Sequence, residues 1–450
     1  MTNTESLNMV INPIISAVHN CGIYSSACTK NFKWLFTGGE DGFIRKYDII
    51  ASLNGESNLT GAQRHGLPDS ITKGALLVSA WENEDGIAKS SNPEEPDTSK
   101  ISAVYSLDVE SKGVWAVSGT ESGAINLWSV RHNEGKLQTT LKSHKGPVSS
   151  LRIAPGERSL ASGSWDKTVK CWSLEDGSII QQFDDFNTQL TSIAYSPDTS
   201  SQPNEANGAE NSMLLANCFD GSTFIYDCRK PNGLIHKITA ASLGSTPWSL
   251  SACWSTNGDK IYVGRRNAIV DEIDVRQGTL IRQLKLPHGS GNVSSVLAVS
   301  DDRHLLIASQ DNVRMWDLEH SSSTENPTVS GLAQRTREPS VELPLHNDQQ
   351  NDLFPLLGEH ESKHQDPFSL NFFDRVSPSP EKVLKSKQEL LELELLEMAK
   401  VPFNIISGHR GGVISSMLWT DSYLVTTSGN RGWEGNSTNM CLLYEVNHEL

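Results

Sequence analysis

The chain has 450 residues, 37% of them hydrophobic and 20% charged, with a formal net charge of −16. That balance argues against nucleic acid as the primary ligand, since neutralising phosphates takes clustered Lys and Arg, and it suits a basic protein partner. No run approaches the roughly 18 apolar residues of a membrane span, and Met1–Asn8 lacks the basic and apolar regions of a secretory signal, so a soluble intracellular protein is expected.

The first element expected is a strand at Val10–Ser16, followed by a second unit, TGGEDGFIRKYD, that closes at Tyr47–Asp48. Residues 52–100 read as an insertion in this region, and the acidic, Pro-containing ENEDGIAKSSNPEEPD within it reads as a mobile surface loop. SGTESGAINLWS then closes at Trp128. The clearest unit is Ser143–Ser173, SHKGPVSSLRIAPGERSLASGSWDKTVKCWS. In it Val148, Leu151 and Ile153 form a buried strand, Ser162 and Gly163 are small where neighbours approach, Asp166 occupies a tight turn, and Trp172 closes a third strand. Looser versions close at Tyr226–Asp227, Ile273–Asp274, Trp316–Asp317 and Tyr444.

Spacings from Trp128 to Trp172 and from Ile273 to Trp316 match the ~40–45-residue period of a propeller blade. The Ser143–Ser173 unit resembles a WD repeat, and that resemblance implies that His144, Ser162, Asp166 and Trp172 link the strands of one blade by hydrogen bonds. The fold expected is therefore all-β, a single seven-bladed WD-repeat β-propeller over residues 1–450. Val10–Ser16 is expected to complete the last blade beside Met440–Val446, and Val401–Ser407 to be the outer strand of the sixth.

A longer insertion, 319–400, interrupts blade six. Its first part, rich in Ser, Pro, Asn and Gln, reads as disordered. Its end, EKVLKSKQELLELELLEMAK over 381–400, reads as a leucine-rich helix with Leu384, Leu391, Leu395 and Met398 on one face. That face either packs on its own ring or docks a partner, and Ser377 and Ser379 each precede Pro as candidate phosphorylation sites or simple turns.

No Walker A loop, GxSxG, HExxH or paired-Cys metal motif is present, and adjacent carboxylates fall in predicted turns, so neither enzymatic activity nor a metal or cofactor is expected. The seven scattered cysteines read as reduced, packed thiols. Histidines at unit starts, His19, His144, His288 and His409, read as structural. Two D-x-R boxes carry Arg229 and Arg276 after consecutive third strands. They resemble those of WD-repeat substrate receptors of cullin-type ubiquitin ligases, where the arginines contact the adaptor, but they also suit local ion pairs. Arg410, Arg431 and Trp433 lie in loops open to a partner.

The phrases NCGIYSSACTKNFKWLFTGGEDGFIRKYDI and VPFNIISGHRGGVISSMLWTDSYLVTTSGNRGWEGNSTN, with the position of the leucine-rich insertion, resemble the fungal WD-repeat subunit of the SAGA transcriptional coactivator. That resemblance implies a nuclear, non-catalytic scaffold that assembles with other SAGA subunits and binds the TATA-binding protein, regulating its delivery to promoters. The family typically carries a long acidic N-terminal extension, whereas this sequence starts almost at the first strand. A cullin-ligase receptor and a histone-tail reader remain as alternatives, the latter needing an acidic or aromatic-lined pocket at the mouth of the ring.

Overall fold

The computed structural model describes residues 8–88, 98–197, 213–240, 248–319, 401–409, 411–420, 422–431 and 435–449. These build seven antiparallel blades, beginning with the sheet Ile23–Cys28, Trp34–Gly39, Phe43–Asp48 and Leu76–Glu82. Five four-stranded blades follow, and the sixth draws its outer strand, Phe403–Ile406, from beyond the long insertion. The seventh is closed by the N-terminal strand Asn8–Val18, which runs antiparallel to Met440–Glu449 from Asn8 opposite Glu449 to Val18 opposite Met440.

The closing blade is five-stranded. Lys73–Gly74 pairs in parallel with Ile15–Ser16 and partly covers the edge that the N-terminal strand leaves open. Leu67 and Ile71, from the same 52–75 stretch, sink into the apolar cluster between blades six and seven beside Leu306, Met315 and Leu424. Other described parts of the expected 52–100 insertion are strands, while 89–97, which hold most of the acidic, Pro-containing phrase, lie outside the described residues. Leu76–Glu82 is the outer strand of blade one, and Glu84–Ala88 pairs with Thr98–Ile101 as a hairpin. Asp85 ties that hairpin to blade two by accepting the Ser122 amide at 3.1 Å.

Seven apolar clusters fill the seven blade interfaces. The cluster between blades two and three, for example, holds Val117, Ile125, Val148, Leu151, Leu160 and Trp172, each 2% exposed or less. The inner strands explain why Val148 and Leu151 face the same side despite an odd spacing. Six of the seven inner strands carry an extra residue where the register shifts, as between Val148 and Ser150 or between Ile414 and Ser416. The bulge rotates one residue toward the axis and increases the local twist.

Just after this bulge position every blade has a serine: Ser25, Ser106, Ser150, Ser192, Ser251, Ser295 and Ser416. Six of them bond directly to the adjacent blade. Ser25 donates to the Val104 carbonyl at 2.8 Å and Ser106 to the Val148 carbonyl at 2.7 Å. Ser150, Ser192 and Ser251 accept the Ile193, Ala252 and Val296 amides, and Ser416 accepts from Ser26 across the closure. Buried and half-buried hydroxyls thus stitch the ring around its axis.

Opposite these serines the second strands carry Gly38, Gly119, Gly163 and Gly264, where a Cβ would crowd the next blade. A Cβ on Gly38 would lie 2.4 Å from Val104, whereas one on Gly163 would meet nothing closer than 3.2 Å. Gly38→Ala is therefore expected to cost about 1–3 kcal/mol by overpacking, Gly163→Ala less, and Gly61→Ala, on a helix with open space around it, to stabilise by about 0.4–1 kcal/mol. Chemical denaturation of the three variants checks the order.

Candidate functional site

In blade three the His144 ring bridges two strands. Its Nδ1 is 2.9 Å from Asp166 Oδ2, its Nε2 is 2.8 Å from Ser162 Oγ, and Trp172 Nε1 donates to that same Oγ at 2.8 Å. Burial opposes the Asp166 charge, but the His144 ring, the Lys145 amide and Thr168 outweigh it and hold the carboxyl far below its usual range. The network ties the segment entering the blade to the turn between its second and third strands, so it fixes loops on one rim.

Other blades reach the same end with different residues. In blade seven His409 bonds Thr438 and Thr426 at 2.8 and 2.7 Å, and in blade one His19 meets the Tyr47 hydroxyl at 3.1 Å. In blade two Asn83 stands where His would: it accepts from Ser118 at 2.8 Å, and Ser118 accepts the Trp128 indole N–H at 2.7 Å. Blade five buries an ion pair instead, with Arg265 donating to Asp271 at 2.7 Å and to the Gly221 carbonyl at 2.8 Å. His288 is exposed and belongs to no such network among the described residues.

The residues singled out from sequence fall into three groups. Arg229 and Arg276 both sit in turns from third to fourth strand, on the rim opposite the His144 network, with side chains 52% and 81% exposed. Each is engaged within its own blade, Arg229 by Asp227 at 2.7 and 2.8 Å and Arg276 by Asp259 at 3.1 Å. Arg410, Trp433, Leu384, Leu391, Leu395 and Met398, along with Ser377 and Ser379, lie outside the described residues. Arg431, expected as an exposed loop residue, instead turns into the axis and donates to the Tyr105 carbonyl.

Sequence reading missed what Arg431 meets there. On the rim of the His144 network a 340 Å³ cavity opens at the channel mouth, walled by Tyr105, Trp165, Phe219, Ser149, Gln189 and Arg431 among others. Tyr105 packs against Trp165 at 5.4 Å and against Tyr24 at 5.5 Å between ring centres, and Phe219 against Trp248 at 5.3 Å. No single blade shows this cluster, because its members come from several blades and converge only when the ring closes. Among the described residues no group of three His, Cys, Asp or Glu could hold a metal ion, and no helix is long and apolar enough to cross a membrane. All seven cysteines are free, with Cys171, Cys218 and Cys441 buried.

Comparison with known proteins follows the ring around. The SPT8 β-propeller family model matches residues 9–207, 201–332 and 377–447. The chain belongs to the SPT8 β-propeller family. It is 29% identical to the SAGA complex subunit Spt8 of Schizosaccharomyces pombe over 96% of this chain and 78% of that one. It is also 29% identical to the SAGA complex subunit SPT8 of Saccharomyces cerevisiae, over 94% of this chain and 70% of the relative. The periodic tryptophan protein 2 homolog of Mus musculus is 27% identical, but over only 40% of this chain and 20% of its own. The internal stretch of this SPT8-family chain that the family match leaves uncovered, 333–376, falls inside the blade-six insertion.

The buried histidines give this SPT8-family propeller a defined acid sensitivity. Burial lowers His19 and His409 to about 4, with Arg45 adding to the effect at His19. Between about pH 6.5 and 4 the unfolded chain binds protons that the folded chain refuses. Stability is thus full above pH 6.5 and falls as pH drops toward 4, by up to ~3 kcal/mol for each histidine. Melting temperatures measured across this window should fall with acid. The double variant His19→Asn, His409→Asn, which copies the part that Asn83 plays in blade two, should flatten that slope while starting from lower stability at pH 7.

Proposed function

We propose that the chain is a non-catalytic subunit of a SAGA coactivator, that it works in the nucleus alongside other SAGA subunits, and that it binds the TATA-binding protein and regulates its delivery to promoters in RNA polymerase II transcription. The observation that carries this reading is the extent of the match: two SAGA subunits align over 94% and 96% of the chain, and the family model reaches from residue 9 in the closing strand to residue 447. A ring whose polar clusters serve to hold strands together suits a scaffold. The net charge of −16 favours a basic partner through long-range attraction and fast association.

Two alternatives turn on particular residues. A cullin-adaptor site needs Arg229 and Arg276 exposed on one face, which they are, although each also makes an ion pair inside its own blade, with Asp227 and Asp259, that serves the blade without any partner. A histone-tail reader needs an acidic or aromatic-lined pocket at the mouth; the mouth here is aromatic-lined, but its wall carries Arg431, whose charge opposes a lysine side chain.

Capture of purified TATA-binding protein by the full chain should be efficient at low ionic strength and fall about tenfold or more as salt rises from roughly 50 to 300 mM, because screening shortens the reach of the acidic surface. Arg229→Ala with Arg276→Ala should leave capture unchanged. Absence of capture at low salt, with a cullin adaptor retained by the chain and lost in the double variant, would replace this reading with the ligase one.

A further inference from the structure

We infer that the channel mouth is a second binding site, for an extended acidic peptide segment, separate from the acidic surface proposed to meet the TATA-binding protein. The cavity has the size of a small ligand pocket and mixed walls. Tyr105, Trp165 and Phe219 supply apolar faces, Ser149 and Gln189 supply hydrogen-bonding groups, and Arg431 supplies the one charge among the described wall residues. In a protein of net charge −16, Arg431 places a cation at the axis.

Arg431 stays charged there at neutral pH. Burial and the like charge of Arg152 lower its guanidinium only to about 10. Its side chain starts in blade seven and reaches the Tyr105 carbonyl of blade two, so it lies across the top of the serine-lined channel, whose walls it shares. Glu40 and Glu121 act on the nearby phenols of Tyr24 and Tyr105 but are not cavity walls. A carboxylate fits beside such a guanidinium through charge-assisted hydrogen bonds, whereas a lysine would meet like charge.

The surroundings fit a peptide better than an isolated ion. Trp165 and Trp248 are 38% and 40% exposed at the rim, a large aromatic area to leave in water. Trp248 holds a φ of +80°, a conformation that bulky residues rarely adopt, and Arg266 lies over its ring at 4.3 Å. An aromatic or large aliphatic residue next to the acidic one would stack on Trp165 and Phe219 while the carboxylate reaches Arg431. Ser149 and Gln189 are placed to meet peptide groups between them.

Isothermal titration of the full chain with a capped Gly-Phe-Asp-Phe-Gly peptide, its Asn and Lys counterparts, and inorganic phosphate tests the assignment. The Asp peptide should bind about tenfold or more tightly than the Asn peptide, and the Lys peptide weakest of the three. Arg431→Gln should abolish the Asp-over-Asn preference, and Trp165→Ala should weaken both peptides alike. Capture of the TATA-binding protein should be unchanged in both variants, so the two sites can fail separately. Equal affinity for the Asp and Asn peptides would overturn the proposal on the unmodified chain alone, whether or not the variants fold. So would a preference for Lys, binding of phosphate without binding of the Asp peptide, or an intact preference in an Arg431→Gln protein of unchanged melting temperature.

Discussion

A ring of blades has one covalent gap, and this molecule bridges it by lying Asn8–Val18 against Met440–Glu449. Everything else depends on that clasp. Without it the last blade would be incomplete and would expose strand edges, and the interfaces on either side, which hold Leu424 and Leu442 on one and Ile15 and Leu443 on the other, would open. The channel mouth depends on it as well, since Arg431 comes from the last blade and Tyr105 from the second. The short parallel pairing of Lys73–Gly74, with Leu67 and Ile71 packed between blades six and seven, holds the clasp from outside.

The ring's regularity was legible because it is local. A blade repeats turn chemistry and strand alternation within one stretch of chain, so the unit period could be read directly, as could the likeness between the N-terminal strand and Val401–Ser407, and resemblance to a WD repeat singled out His144, Ser162, Asp166 and Trp172. Features that arise between blades were hidden. Asn83 gave no cue because the pattern sought was histidine, although its side chain has the same capacity to accept from Ser118. The serines at one register look like ordinary polar positions until a bulge turns them toward the next blade. Acidity and proline suggested a loop over 82–97; at its two ends Glu84–Ala88 pairs with Thr98–Ile101 and Asp85 holds Ser122, while 89–97 lie outside the described residues. Arg431 was misplaced for a similar reason, since only closure shows that its turn faces the axis.

Charge divides the molecule's surfaces by role. The whole carries −16, which suits attraction over distance to a basic protein, while individual ion pairs such as Arg229–Asp227 and Arg303–Asp317 are satisfied within blades. At the mouth of the axis Arg431 sits among aromatic rings. The two surfaces proposed above differ in preference, so a scaffold carrying both would hold two partners without making them compete.

The central claim is that this propeller is a working subunit of SAGA rather than a free-standing or ligase-bound ring. Affinity purification of the tagged full-length chain from nuclei of its own cells, with quantitative mass spectrometry of what co-purifies, tests it most directly. The account predicts the other SAGA subunits at near-stoichiometric amounts, retained after a high-salt wash that removes the TATA-binding protein. Recovery of the chain without SAGA subunits, or together with a cullin and its adaptor, would contradict it.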